Sequence, residues 1–84
     1  YITEINNYEK LIYLDCSCNN IIKIDRCVLL KELFCRNNKL QILPHILPNL
    51  EHLEMFSNKL EKIGFYPNLK ELYCDIDGIQ KIPV

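Results

Sequence analysis

Two glutamates and a histidine, Glu32, His52 and Glu71, follow one another at steps of 20 and 19 residues. A carboxylate–histidine–carboxylate run points to general acid–base work or to a metal site, provided something brings the three side by side. The five cysteines, Cys16, Cys18, Cys27, Cys35 and Cys74, invite a second reading, a zinc site on Cys16-Ser17-Cys18 with Cys35. A third reading rests on four aromatics, Tyr13, Phe34, Phe56 and Tyr73, which stand among charged residues at a related spacing. Aromatic side chains exposed among charges are what protein interfaces favour. All three readings depend on the elements that carry these residues.

Those elements repeat. Written in rows that each open on a leucine, the chain starts at Leu11, Leu30, Leu50 and Leu69, and six columns agree. The first is the opening leucine. The fourth is Leu14, Leu33, Leu53 and Leu72; the sixth is Cys16, Cys35, Met55 and Cys74. The ninth is Asn19, Asn38, Asn58 and Asp77, and the eleventh is Ile21, Leu40, Leu60 and Ile79. The fourteenth is Ile24, Leu43, Ile63 and Ile82. Chance does not align six columns through four rows.

The pattern resembles L-x-x-L-x-L-x-x-N-x-L, the signature of the leucine-rich-repeat family, in which cysteine commonly fills the third apolar place. Leu43-Pro44, Leu47-Pro48-Asn49 and Tyr66-Pro67-Asn68 resemble the coil endings of the family's short class of 19–20 residues. The resemblance implies an α/β repeat solenoid, a horseshoe fragment with a short-stranded parallel sheet on its concave face and a mostly non-helical convex side. One array fills residues 1–84: a partial repeat 1–10, repeats 11–29, 30–49 and 50–68, and a partial repeat 69–84.

Physics reaches the same arrangement. Columns 4 and 6 lie two residues apart, so they share one face of a strand, while columns 3, 5 and 7 take the other. Strands are expected at Tyr13 to Cys16, Glu32 to Cys35, His52 to Met55 and Glu71 to Cys74, paired in parallel. Stacking the coils buries a ladder of Leu, Ile and Cys that no single coil could bury alone. The column of asparagines stands where the chain turns off each strand. An amide has two donors and an acceptor for backbone groups stranded in its own and the neighbouring coil. Asp77 keeps only the acceptor, which predicts a weaker last rung and faster hydrogen exchange there than at Asn38, and Gly78 beside it points to a different turn.

Pro44, Pro48 and Pro67 keep the convex side short of helix, in extended, polyproline-like or single-turn 3₁₀ segments. Asp25-Arg26-Cys27-Val28 lacks a proline and is free to make one helical turn. Ile2 and Ile5 fit columns 11 and 14 of a preceding row. Neither end shows a polar or disulfide-stapled cap, so we expect a segment of a longer array that self-associates through its bare ends when isolated.

With the columns in place, the chemistries can be weighed. Glu32, His52 and Glu71 fall in column 3 on neighbouring strands, but an open sheet has no pocket, oxyanion hole or oriented nucleophile. A cross-strand charge ladder is the better reading, and His45, on the convex side, cannot join it. Cys16, Cys35 and Cys74 face inward as small hydrophobes rather than as zinc ligands. Cys18 and Cys27 are expected to be more exposed, with Cys18 labelled first. Lys23, Lys62 and Lys81 in column 13 and Lys39 and Lys59 in column 10 make a basic flank, which reads better as a solvated surface than as a polyanion contact. No catalytic residue, metal or cofactor is assigned.

The open face remains. Column 3 is Tyr13, Glu32, His52 and Glu71; column 5 is Asp15, Phe34, Glu54 and Tyr73; column 7 is Ser17, Arg36, Phe56 and Asp75. With Glu51 counted, its six acids outnumber the bases Lys31, Arg36 and Lys70, which favours a protein or peptide partner with a basic patch over nucleic acid. The expected function is a protein–protein interaction module using Tyr13, Asp15, Glu32, Phe34, Arg36, His52, Glu54, Phe56, Glu71, Tyr73 and Asp75. The alternatives are the substrate-recognition arm of a larger enzyme such as a ubiquitin ligase, or a structural spacer in a long array.

Composition agrees with a small folded domain: 84 residues, 49% hydrophobic and 25% charged, with net charge -1. That charge offers no bulk attraction to nucleic acid or anionic membrane, and no apolar run approaches the roughly 20 residues of a spanning helix. An odd number of unevenly spaced cysteines is a poor match to a secreted disulfide framework, and on that ground alone points to an intracellular setting, cytoplasmic or host-cell cytoplasmic.

Overall fold

A leucine set between polar or aromatic neighbours recurs in every row, and each copy forms a three-residue strand. The structure is a computed structural model that describes residues 2–41, 43–60 and 64–75. Among these, the strands are β1 (Glu4–Asn6), β2 (Tyr13–Asp15), β3 (Lys23–Asp25), β4 (Glu32–Phe34), β5 (His52–Glu54) and β6 (Glu71–Tyr73). β2, β4, β5 and β6 form one parallel sheet in that order. The register is the column alignment itself: Leu14 pairs with Leu33, Leu33 with Leu53, and Leu53 with Leu72. Each strand ends one residue earlier than expected. The ladder nonetheless runs on, because the N–H groups of Cys16, Cys35 and Met55 donate to Phe34, Glu54 and Tyr73 at 2.8–2.9 Å.

The interior is the expected one. Leu30, Leu33, Leu40, Leu50, Leu53, Ile21, Ile24 and Cys35 have no exposed surface. Leu11, Leu14, Leu43, Leu69, Leu72 and Cys74 are partly buried against them. The column-9 asparagines do the work read from their spacing. Asn38 is buried; its Oδ1 accepts the N–H groups of Asn19 and Ile21 in the preceding coil, and its Nδ2 donates to the carbonyls of Cys16 and Cys35. Asn58 repeats this one coil on, accepting from Leu40 and donating to Cys35 and Met55.

The convex side differs from expectation in two ways. Extended backbone was foreseen there, but not its pairing: β1 and β3 form a second parallel ladder with Ile5 against Ile24, and Ile46 bridges Phe65 further along. The helical turn allowed for Asp25-Arg26-Cys27-Val28 does not form. Asp25 ends β3, and Arg26 takes a left-handed φ of 56°. The chain then makes a tight turn in which Leu30 N–H donates to Cys27. The same turn precedes every opening leucine, with Leu11, Leu50 and Leu69 donating to Tyr8, Leu47 and Tyr66. Pro48 and Pro67 occupy its second position, where a fixed φ suits it. Its first residue points inward in three of the four cases: Cys27, Leu47 and Tyr66 are buried. Cys27, expected to be exposed, is therefore a core residue. Ile2, expected inside, is 53% exposed although its backbone keeps register by accepting from Asn20, because among the described residues no coil lies over it. The expectations for Ile63, Ile79, Ile82, Lys62, Lys81, Asp77 and Gly78 lie outside the described residues.

Gly64 marks the closest approach of two coils. Phe65 N–H donates to His45 at 2.7 Å, and a Cβ on Gly64 would collide with that same carbonyl group. Gly64→Ala is expected to cost about 1–3 kcal/mol, the usual range for overpacking, seen as a lowered urea midpoint. An unchanged midpoint would mean that the two coils can part freely at this point.

Candidate functional site

The strands β2, β4, β5 and β6 turn one face to the core and the other outward, so the residues on either side of each leucine form two rows on the open face. In register order the rows are Tyr13, Glu32, His52, Glu71 and Asp15, Phe34, Glu54, Tyr73. Ring and carboxylate alternate both along each row and along each strand, as on a checkerboard. Rings then meet only on diagonals, and they do so without a break. Tyr13 lies 5.5 Å from Phe34, Phe34 4.8 Å from His52, His52 5.4 Å from Tyr73, and Tyr73 6.4 Å from Phe56, centroid to centroid. Interplanar angles of 40–49° are tilted packings of the kind aromatic pairs prefer.

His52 is the residue the sequence misjudged. It was expected in a charge ladder with Glu32 and Glu71. Only half of that forms, with Nδ1 at 3.1 Å from Glu71 Oε1. The imidazole otherwise belongs to the ring zigzag, sandwiched between Phe34 and Tyr73, with Nε2 buried and unpartnered. The hydrogen bonds from His52 and then from Tyr73 hold the Glu71 carboxyl below its ordinary pKa, and the Glu71 charge in turn pushes the Tyr73 phenol up.

The remaining charged residues take defined places on the same face. Arg36 Nε lies 3.3 Å from Glu54, and Lys70 3.5 Å from Glu51. Asp15 and Asp75 accept the backbone N–H groups of Ser17 and Ser57, each steadying the turn that leaves a strand. All eleven residues singled out from sequence thus lie on or beside one surface. On the flank, Lys39 and Lys59 are exposed, and Lys23 sits 3.8 Å from Asp25.

The thiols sort by column. Burial pushes Cys16 up to about 11 and raises Cys35 and Cys27 as well, which leaves them protonated and unreactive. Among the described residues no group of three or more His, Cys, Asp or Glu is placed to hold a metal ion. Cys18 alone is fully on the surface, its sulfur accepting from Asn37 Nδ2. Iodoacetamide is expected to modify Cys18 first and Cys35 about 10³-fold more slowly, since Cys35 needs an opening of about 4 kcal/mol or more. Faster labelling of Cys35 by peptide mass mapping would contradict the columns.

Stacked parallel strands, asparagine rungs at Asn38 and Asn58 and one open face define a repeat solenoid. Residues 29–50 match the family model described as Leucine Rich Repeat, and the fold, a parallel-strand solenoid with no helix among the described residues, is consistent with a repeat of that type. Comparison with curated proteins and with solved structures gave no match. Leucine-rich-repeat domains generally mediate protein–protein interaction. No helix among the described residues is long and apolar enough to cross a membrane.

Proposed function

We propose that the chain is an interaction module that binds a protein or peptide through the concave face of its four-stranded sheet. The supporting observation is the unbroken zigzag of rings, whose members Tyr13, Phe56 and Tyr73 are 37–54% exposed. Affinity in such surfaces is concentrated in a few aromatic and arginine anchors. Phe34, Phe56, Tyr73 and Tyr13 take that part here, with Arg36 and Glu54 setting register and the excess of carboxylates favouring a basic partner. The role proposed for these residues is binding: among the described residues the His52–Glu71 pair has no oriented nucleophile beside it. Free thiols suit a reducing, intracellular setting.

The test is selection of peptides from an unbiased displayed library on the 84-residue chain, with the triple variant Phe34→Ser, Phe56→Ser, Tyr73→Ser as counter-target. Ligands are expected to lose at least about 100-fold in affinity on the variant, the effect of removing two or more anchors. Its circular dichroism should stay unchanged. Ligands indifferent to the three changes would place binding elsewhere, and an unfolded variant would make the rings structural.

A further inference from the structure

We propose that the open face reads guanidinium groups, and that its ligand is an extended segment with arginines three residues apart. This rests on the interaction reading above and names the partner's chemistry. The checkerboard carries it. Each carboxylate has rings as its neighbours: Glu32 stands between Tyr13 and His52 across the strands and beside Phe34 along its own, and Glu54 stands between Phe34 and Tyr73. A cation placed on any acid therefore also meets ring faces, the pairing that suits a flat, weakly hydrated guanidinium better than a compact ammonium.

Two contacts on this face show the parts of this chemistry separately, an acid holding a guanidinium and two rings holding a flat donor. The Arg36 guanidinium docks on Glu54 at 3.3 Å. His52, a flat donor, is held between the rings of Phe34 and Tyr73 with its N–H on Glu71. Asp15 and Glu32, by contrast, have no cation against them among the described residues. In either row the carboxylates recur on every second strand, Glu32 to Glu71 and Asp15 to Glu54, about 10 Å apart at the usual strand spacing. An extended peptide crossing the sheet advances about 3.3 Å per residue, so side chains three residues apart meet successive acids.

The test uses the full chain and three short synthetic peptides of one composition class: Arg-x-x-Arg, the same with both arginines replaced by citrulline, and one with the two arginines adjacent. Titration calorimetry, with NMR shifts followed at the rings, is expected to show Arg-x-x-Arg binding about tenfold or more tightly than either control. The preference should disappear in the near-isosteric variant Glu32→Gln, Asp15→Asn, in which residue 15 keeps an acceptor for Ser17. Equal binding of the citrulline or adjacent-arginine peptide, or no binding by any, overturns the proposal. The interaction reading survives that result if library ligands still depend on the rings. If Arg-x-x-Arg binds the triple serine variant as well as the wild type, both readings fall together.

Discussion

Asn38→Ala lowers the unfolding free energy by about 3–4 kcal/mol, the largest effect expected of any polar substitution in this chain. The side chain is buried, and its amide closes contacts in two coils at once. Its oxygen takes Asn19 N–H at 3.1 Å and Ile21 N–H at 3.0 Å; its nitrogen reaches the carbonyls of Cys16 and Cys35 at 3.0 Å and of Arg36 at 3.2 Å. Alanine strands the N–H groups of Asn19 and Ile21, which the sheet ladder does not serve, and takes one donor from each of the three carbonyls, which keep Asn19 Nδ2, Asn58 Nδ2 and Cys18 N–H. Each buried orphan costs about 1–3 kcal/mol, and water entering the gap repairs some of them, so the total falls short of the simple sum. Stability of about 0.05–0.15 kcal/mol per residue gives a chain of this size about 4–13 kcal/mol, so the loss is a large fraction of the whole.

Asn38→Asp separates the acceptor from the donors. The carboxylate keeps the two N–H contacts but turns an oxygen toward the Cys16 and Cys35 carbonyls. The folded state then favours the neutral acid, and its pKa rises above the unfolded value. The penalty is full above the raised folded pKa and shrinks as pH falls through it, because the protonated acid donates one hydrogen bond again. Urea midpoints at neutral and mildly acidic pH check both variants. A cost below about 1 kcal/mol for alanine would show that water substitutes freely for the rung.

Leu53→Ala is the second, expected at about 3–4 kcal/mol within the usual range for a buried leucine. Leu53 has no exposed surface and lies in register between Leu33 and Leu72, so the cavity opens on two coil interfaces. In a stack where each coil touches only its neighbours, damage in the middle uncouples the halves. Unfolding should lose cooperativity, with a shallower urea slope as well as a lower midpoint. Leu14→Ala is the control: Leu14 is half-buried on the first strand of the sheet and should cost about half as much or less. Equal costs at the two positions would mean that the leucines do not form one continuous ladder.

Much of this could be read before any coordinates, and for one reason. In a parallel stack a residue's neighbour across the interface is its own equivalent one period away, so a column in the text is a contact in space. The strand register, the Leu33–Leu53–Leu72 ladder, the asparagine rungs and the ring-bearing face all follow from steps of 19 and 20. What escaped was whatever lies off the columns. The ring zigzag is diagonal, and it drew His52 out of a charge ladder because Phe34 and Tyr73, in the other row, flank it more closely than the column suggested. Cys27 went inside because a turn, and not a strand, sets its direction, and its row is one residue shorter than the next. The left-handed backbone at Asn7, Cys18, Arg26, Asn37 and Ser57 left no glycine to announce it. Period alone tells which residues share a rung. Side-chain packing between rungs and the direction of each turn depend on the coil above and the coil below, and those exist only once the chain has folded.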